Sequence, residues 1–317
     1  MSSKKIQNVL DRYKTFKIIN KIIDEKIKKS TEKCLYPVLN SYGLYKLNDT
    51  ILLIKRIGSD SAYATIFLSE IKNNKNKYKF ATKIQLLTDD TFKELKLLII
   101  ITNYAITSKN IHLPLMYNNL ECEYFDKFSF KSKLPLNLLN DEKENKGINA
   151  YYSTFVELAD GDLGTYLNSN DIKMDEITNI LSQCFIAILS CHRIQINHFD
   201  SHLNNFLYHI IKKDNSCFHY KYDVLEFYIE NLGLNWVIWD FGYSEIITSN
   251  DNKDFKKDYL MLIATLIEYY AKIDLFKIIF NKIDLFKSDY DLIKYFLENK
   301  ILFSSIPIGK IITTIIL

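Results

Sequence analysis

The chain has 317 residues, 48% of them hydrophobic and 25% charged, with a formal charge of +3 at pH 7. That composition is too apolar for a disordered chain and too charged for a membrane-embedded bundle. The length suits two domains, or one large domain in two lobes. Interspersed charges with so small an excess leave no footprint for a specific nucleic acid, and the lysine runs at Lys26–Lys33 and Lys72–Lys79 read as solvated faces.

The basic residues are lopsided. Of 41, only Arg12, Arg56 and Arg193 are arginine, so guanidinium forks for clamping phosphate or carboxylate are scarce. Together with 45 Ile and 28 Asn against 8 Gly and 4 Pro, this reads as a low-GC codon habit. Five cysteines (Cys34, Cys122, Cys184, Cys191, Cys217) without C-x-x-C spacing indicate neither a zinc site nor a disulfide framework, and suit a reducing, cytoplasmic setting. Charge interrupts the N-terminal apolar run, so no signal peptide is expected. The apolar C-terminal IPIGKIITTIIL is too short to span a bilayer and reads as a segment closing on the core, so no membrane partner is expected.

Residues 1–46 carry Lys-rich helical periodicity up to about Pro37 and are expected as a helical extension. From Leu47, the runs LNDTILLIKRIG, SAYATIFLSE and YKFATKIQLL predict three antiparallel strands, with a hairpin tip at Asn73–Lys77. Thr88–Thr91 offers helix caps before the helical FKELKLLIIITNYA. A strand is expected near Leu113–Tyr117, a polar loop over Asp126–Asn149, and a returning strand from Tyr151. Beyond DGDLG, Ile177, Ile180, Leu181, Cys184, Ile188 and Cys191 mark one buried helix face. Two strands (NFLYHII and NWVIWDF) flank a hairpin, and the chain from about Asp254 reads as helical. A β-rich half joined to a helical half is an α+β plan in two lobes.

Two polar segments sit beside those last strands: His198-Phe-Asp-Ser-His-Leu-Asn-Asn205 and Asp240-Phe-Gly242. Singly, each is a weak motif whose Asp and Asn residues also suit turn caps. Their order and their strand-edge placement resemble the catalytic loop H-R-D-L-K-x-x-N and the metal loop D-F-G of the protein-kinase superfamily. The resemblance runs through most of residues 50–270.

It implies a bilobal fold: the helical extension at 1–46, a β-rich N-lobe at 47–157, and a mainly helical C-lobe at 158–317 with a long hairpin insertion near 212–234. It also implies ATP and Mg²⁺. Asp200 would orient the substrate hydroxyl, while Asn205 and Asp240 would hold the metal as hard oxygen ligands. Lys83, closing Ala81-Thr-Lys83, would meet the phosphates, with Glu94 either its partner or a surface carboxylate near a helix start. Backbone groups of Glu157 and Ala159 would bind adenine. Asp162 would reach the ribose or cap the next helix.

The departures define the subtype. Ile57 and Gly58 open the nucleotide-covering segment, but of its glycines only Gly58 is kept, and Asp60 puts charge where backbone should approach phosphate. Phe199 replaces the Arg that usually meets a phosphorylated activation loop, which argues for a constitutive conformation. His202 replaces a Lys, in a phosphate-facing or merely structural role. No A-P-E lies between Gly242 and Lys257-Asp258-Tyr259, which resembles the start of the next helix.

Taken together, the chain is similar to haspin-like kinases and to serine/threonine kinases of large DNA viruses. That implies a monomer acting on a protein in the cytoplasm, the host cell's included, or in the virion. A pseudokinase scaffold and a small-molecule kinase are the other readings that these departures leave open. The aromatic run Phe218, Tyr220, Tyr222, Phe227 and Tyr228 reads either as packing or as a partner surface.

Overall fold

Alternation decides where the first strands lie. In a computed structural model, which describes residues 8–29, 38–39, 45–46, 50–58, 64–72, 78–123, 150–169, 171–247, 255–270 and 274–317, Ile51–Ile57 (β3), Ala64–Ile71 (β4) and Lys79–Leu86 (β5) form antiparallel neighbours. Buried residues recur at every second position of β4, the period of a half-buried strand. Asp60 and the rest of Ser59–Tyr63, the expected hairpin tip Asn73–Lys77, the polar stretch Asp126–Asn149 and residues 248–254 lie outside the described residues.

The protein is mixed α+β and divides into two compact units. The first comprises residues 13–99 and 115–158; the second comprises 2–12, 100–114 and 159–317. The described residues 13–29, 38–39 and 45–46 group with the first unit. Helix α1 spans Asp11–Lys29. Two short strands, β1 (Val38–Leu39) and β2 (Tyr45–Lys46), then extend the edge of β3, a correction to the expected all-helical extension.

The first unit's sheet runs β1-β2-β3-β4-β5-β7-β6, with β6 at Met116–Glu123 and β7 at Ala150–Val156. Helix α2 (Asp89–Ser108) contributes its residues through Ile99 to this unit. Its buried positions Glu94, Leu95, Leu97, Leu98 and Ile101 follow a single helical stripe. The N–H of Thr88 donates to Thr91 Oγ1 and the N–H of Thr91 to Thr88 Oγ1, a reciprocal cap that starts the helix.

In the second unit, helices α3 (Leu163–Ser169) and α4 (Met174–Arg193) lead into the polar segments. Helix α4 is buried almost all round and is tied to β13 (Leu234–Ile238), where Gln183 Oε1 accepts the Trp236 N–H at 3.0 Å. Strand β10 (Phe206–Ile210) pairs with β13 and with β8 (Gly161–Asp162), and β9 (Ile196–Asn197) pairs with β14 (Glu245–Ile246). The hairpin is β11 (Ser216–Tyr222) and β12 (Leu225–Glu230). Its Phe218, Tyr220, Tyr222 and Phe227 are buried and Tyr228 stacks on His219, so the aromatic run packs inward.

Helices α5 (Phe255–Tyr269), α6 (Asp274–Ile283) and α7 (Asp289–Glu298) follow. The chain then ends in a strand, β15 (Lys310–Ile316), parallel to β11, where continued helix was expected. The strand expected near Leu113–Tyr117 starts at Met116 instead. The preceding loop is held by side chains: Arg12 donates to the carbonyls of Ile111 and Leu113, and Asn235 also donates to Ile111. His112 is fully buried between the Trp236 carbonyl and the Tyr220 hydroxyl, and burial holds its pKa down at about 3, so it is neutral. Among the described residues, no helix is long and apolar enough to cross a membrane.

Candidate active site

In the first unit, the site is an ion pair. Lys83 lies on β5, paired on one side to Ile66 and on the other to Thr154, so its backbone is fixed from both edges. Its Nζ donates to Glu94 Oε1 at 2.6 Å, and the two residues are only 7% and 5% exposed. Glu94 is thus no surface carboxylate. Burying both charges is compensated only because they meet in good geometry and because hydrogen bonds satisfy what remains. The second oxygen of Glu94 is met by Gln85, whose Nε2 donates to Oε2 at 3.0 Å. Among the described residues, Gln85 Oε1 is buried with no hydrogen-bond partner, a condition that costs about 1–3 kcal/mol.

Ile57 is half-buried at the end of β3. Gly58 turns the chain out of that strand at φ 77°, a left-handed conformation that suits glycine. Glu157, at the end of the unit, is bound to Leu115 twice. Its N–H donates to the Leu115 carbonyl, and its Oε1 accepts the Leu115 N–H, both at 3.0 Å. The Glu157 N–H is therefore spent within the sheet and unavailable to a base, which narrows the adenine-binding expectation to its carbonyl.

In the second unit, the loop from His198 to Asn205 is built around Asp200. Asn205 Nδ2 donates to the Asp200 carbonyl at 2.7 Å and to Asp200 Oδ2 at 2.9 Å. This orients the carboxylate and leaves Asn205 Oδ1 as the oxygen the amide presents. His202 caps the short 3₁₀ turn Leu203–Asn205, its Nδ1 accepting the Asn204 N–H at 3.2 Å. Its Nε2 stands 3.6 Å from Asp200 Oδ2. The Trp239 N–H donates to the Asn205 carbonyl at 2.8 Å, and Phe206 pairs with Ile238. Asn205 and Asp240 thus leave the same end of the β10–β13 ladder.

Backbone strain marks both segments. Phe199 has φ 59° and Asp240 φ 63°, values that cost a side-chain-bearing residue about 1–3 kcal/mol unless its surroundings hold it. The holding group at Phe199 is Asp258, on the first turn of α5 and fully buried. Its carboxylate accepts the N–H groups of His198 and Phe199, each at 2.7 Å, and its carbonyl accepts Ser201 Oγ at 2.6 Å. His192 Nε2 donates to Asp258 Oδ2 at 3.2 Å, and His192 Nδ1 to Asp289 Oδ1 at 2.9 Å. An imidazole donating from both nitrogens is the cation. Burial alone would lower the His192 pKa, but the Asp289 and Asp258 carboxylates outweigh it and raise it to about 10. Burial pushes the Asp258 carboxyl up, but its bond to His192 wins and keeps it below the usual range.

His198 links the two segments. Its Nε2 donates to the Trp239 carbonyl at 2.9 Å, its Nδ1 accepts the Asp200 N–H at 3.3 Å, and its ring packs on Phe241. Burial lowers its pKa, which suits this neutral arrangement.

Of its two expected roles, Asp162 has that of the helix cap. Oδ1 accepts the Thr165 N–H at 2.8 Å and Oδ2 the Thr165 hydroxyl at 2.9 Å, so both oxygens serve the α3 cap, not a ribose. Ala159 precedes β8, and no hydrogen bond singles it out. Gln85, Asp258 and His192 were not among the expected site residues, although Asp258 lies where a helix start was expected.

The donor set fits Mg²⁺. Asn205 and Asp240 offer an amide and a carboxylate oxygen, hard ligands for a cation that usually takes few protein ligands and keeps several waters. Among the described residues, no group of three or more His, Cys, Asp or Glu side chains is placed to hold a metal. The chain matches no family model and no curated protein.

Proposed function

We propose that the chain is an ATP- and Mg²⁺-dependent phosphotransferase with the bilobal protein-kinase plan. In this reading it is a serine/threonine protein kinase similar to haspin-like and large-DNA-virus kinases. One observation carries the reading. The Lys83–Glu94 pair and the Asp200–Asn205 pair are each assembled in their own unit, the second on a loop whose backbone is anchored by a buried carboxylate. A chain in which these residues were only turn caps and surface charges would have no need to bury Lys83, Glu94 and Asp258.

The roles follow from the chemistry. Asp200, oriented through Oδ2 by Asn205, accepts the proton of the substrate hydroxyl. The Lys83 ammonium, held by Glu94, meets the nucleotide phosphates. Asn205 Oδ1 and the Asp240 carboxylate would hold Mg²⁺, which when bound neutralises charge on the transferring phosphoryl group. His202, beside Asp200, offers an N–H to the same region.

Two measurements test this. Mg-ATP at 100 times its dissociation constant stabilises a binding protein by about 2.7 kcal/mol, so a thermal shift should appear in wild type and shrink in Lys83→Met. Labelled γ-phosphate should pass to serine or threonine of generic protein acceptors. A shift without transfer to any acceptor supports a scaffold instead. Transfer to small hydroxyl compounds alone supports a small-molecule kinase. The absence of both the shift and the transfer would contradict the proposal.

A further inference from the structure

Lys83 and Gln85 are two residues apart on β5 and therefore share one face of a strand held between β4 and β7. Glu94, on the second turn of α2, receives both: Lys83 Nζ on Oε1 at 2.6 Å and Gln85 Nε2 on Oε2 at 3.0 Å. All three side chains are buried. With both oxygens bound, the carboxylate is fixed in position and in rotation about its own axis, where one bond would leave it able to turn.

The donor type matters. A second cation at position 85 would share the Glu94 charge and weaken its hold on Lys83. A neutral amide satisfies the second oxygen and adds no competing charge at Glu94. Gln85 also carries a buried cost, which an apolar side chain of similar volume would avoid, since its Oε1 has no partner among the described residues. The amide earns its place through the donor it gives Glu94.

The same helix turn is seated by other contacts in this unit. The Phe92 and Tyr152 rings stack at 6.3 Å and 11°, Lys96 Nζ lies 4.0 Å from the centre of the Phe92 ring, and Thr88 and Thr91 cap the helix start.

We propose that Gln85 is a positioning residue which completes a two-sided clamp on Glu94, so that the Lys83–Glu94 pair stands assembled without nucleotide and without an activating signal. Its meaning for phosphoryl transfer rests on the function proposed above; the clamp itself does not, and the test keeps the two apart. The intact, nucleotide-free protein is treated with a limiting amine-acylating reagent, and the labelling rate of each lysine is read by peptide mass spectrometry. Wild-type Lys83, buried and paired, should label far more slowly than the exposed lysines.

In Gln85→Met, which keeps the length and removes the donor, Lys83 labelling should rise about tenfold, equivalent to about 1.4 kcal/mol. Exposed lysines should stay unchanged. The melting temperature should fall modestly because buried Glu94 Oε2 loses its donor, so the labelling decides: a merely structural amide would lower the melting temperature and leave Lys83 labelling as it was. Gln85→Glu, which sets an acceptor against Glu94, gives the same reading if Q85M yields too little folded protein. The clamp is overturned if Lys83 labels alike in wild type and both variants, or if wild-type Lys83 is already as reactive as an exposed lysine. Repeating the wild-type labelling with Mg-ATP tests the kinase reading separately. Failure of ATP to protect Lys83, alongside an effect of Q85M, removes the reading and leaves the clamp.

Discussion

Asp258 Oδ1 accepts the N–H of Phe199 at 2.7 Å, and this bond helps to hold a phenylalanine at φ 59° beside the proposed catalytic base. A left-handed backbone penalises any side chain with a Cβ but not glycine. Phe199→Gly should therefore be more stable than Phe199→Ala by about 1 kcal/mol, the reverse of the usual order. Both variants lose the phenyl ring and its contact with Lys257 at 5.3 Å, so their difference isolates the backbone. Urea denaturation of the pair checks this, and an alanine variant at least as stable as the glycine one would show the strain to be absent.

The buried His192 cation gives a pH signature. Its pKa is raised from 6.5 to about 10 in the folded protein, so the stability it contributes is complete below about 6.5 and is lost as pH rises through about 10. Between those values the unfolded chain has released a proton that the folded one keeps, and stability should fall by about 1.4 kcal/mol per pH unit. Asp258, held low, contributes in the opposite sense, with stability lost as pH falls below its ordinary 3.8. Urea midpoints from pH 6 to 10 should slope downward in wild type. The slope should be flat in His192→Gln and shallower in Asp289→Asn. Equal slopes in all three would contradict the assigned charge.

Much of this was legible in the sequence, and the gaps have physical causes. Strands β3, β4 and β5 announce themselves as short β-type runs bounded by Asn, Asp, Gly and Lys clusters, and α4 by its stripe of Ile, Leu and Cys. Strand β15 does not: a run of isoleucines fits helix or strand alike, and only its pairing with β11 decides. The strands at Val38–Leu39 and Tyr45–Lys46 are too short to show a period. Gln85 was invisible because a polar residue within a β run reads as facing solvent, and only the fold turns it towards Glu94. Asp258 read as a helix start, which it is; its bonds to residues 59 and 60 positions earlier are tertiary facts. Asp162 had two readings in the sequence, and Thr165 settles it as a cap.

The scarcity of arginine bears on regulation. With Phe199 in place of the arginine that usually meets a phosphorylated loop, and with Glu94 bound on both oxygens, the function proposed above is expected to be independent of loop phosphorylation. Phosphatase treatment of the purified protein should leave its transfer rate unchanged. A strong loss of activity, restored by rephosphorylation, would show a switch that these contacts do not contain.

The central assignment is Asp200 as the proton acceptor. In Asp200→Asn, the Asn205 Nδ2 bond to the backbone carbonyl at residue 200 is kept, so the loop should stay folded and the melting temperature close to that of wild type. The direct measurement is single-turnover transfer of labelled γ-phosphate, with enzyme in excess over ATP, in wild type and D200N. Wild type should transfer, and D200N should be slower by about 10²–10⁴-fold, the usual contribution of a positioned base. Equal rates in the two proteins would contradict it.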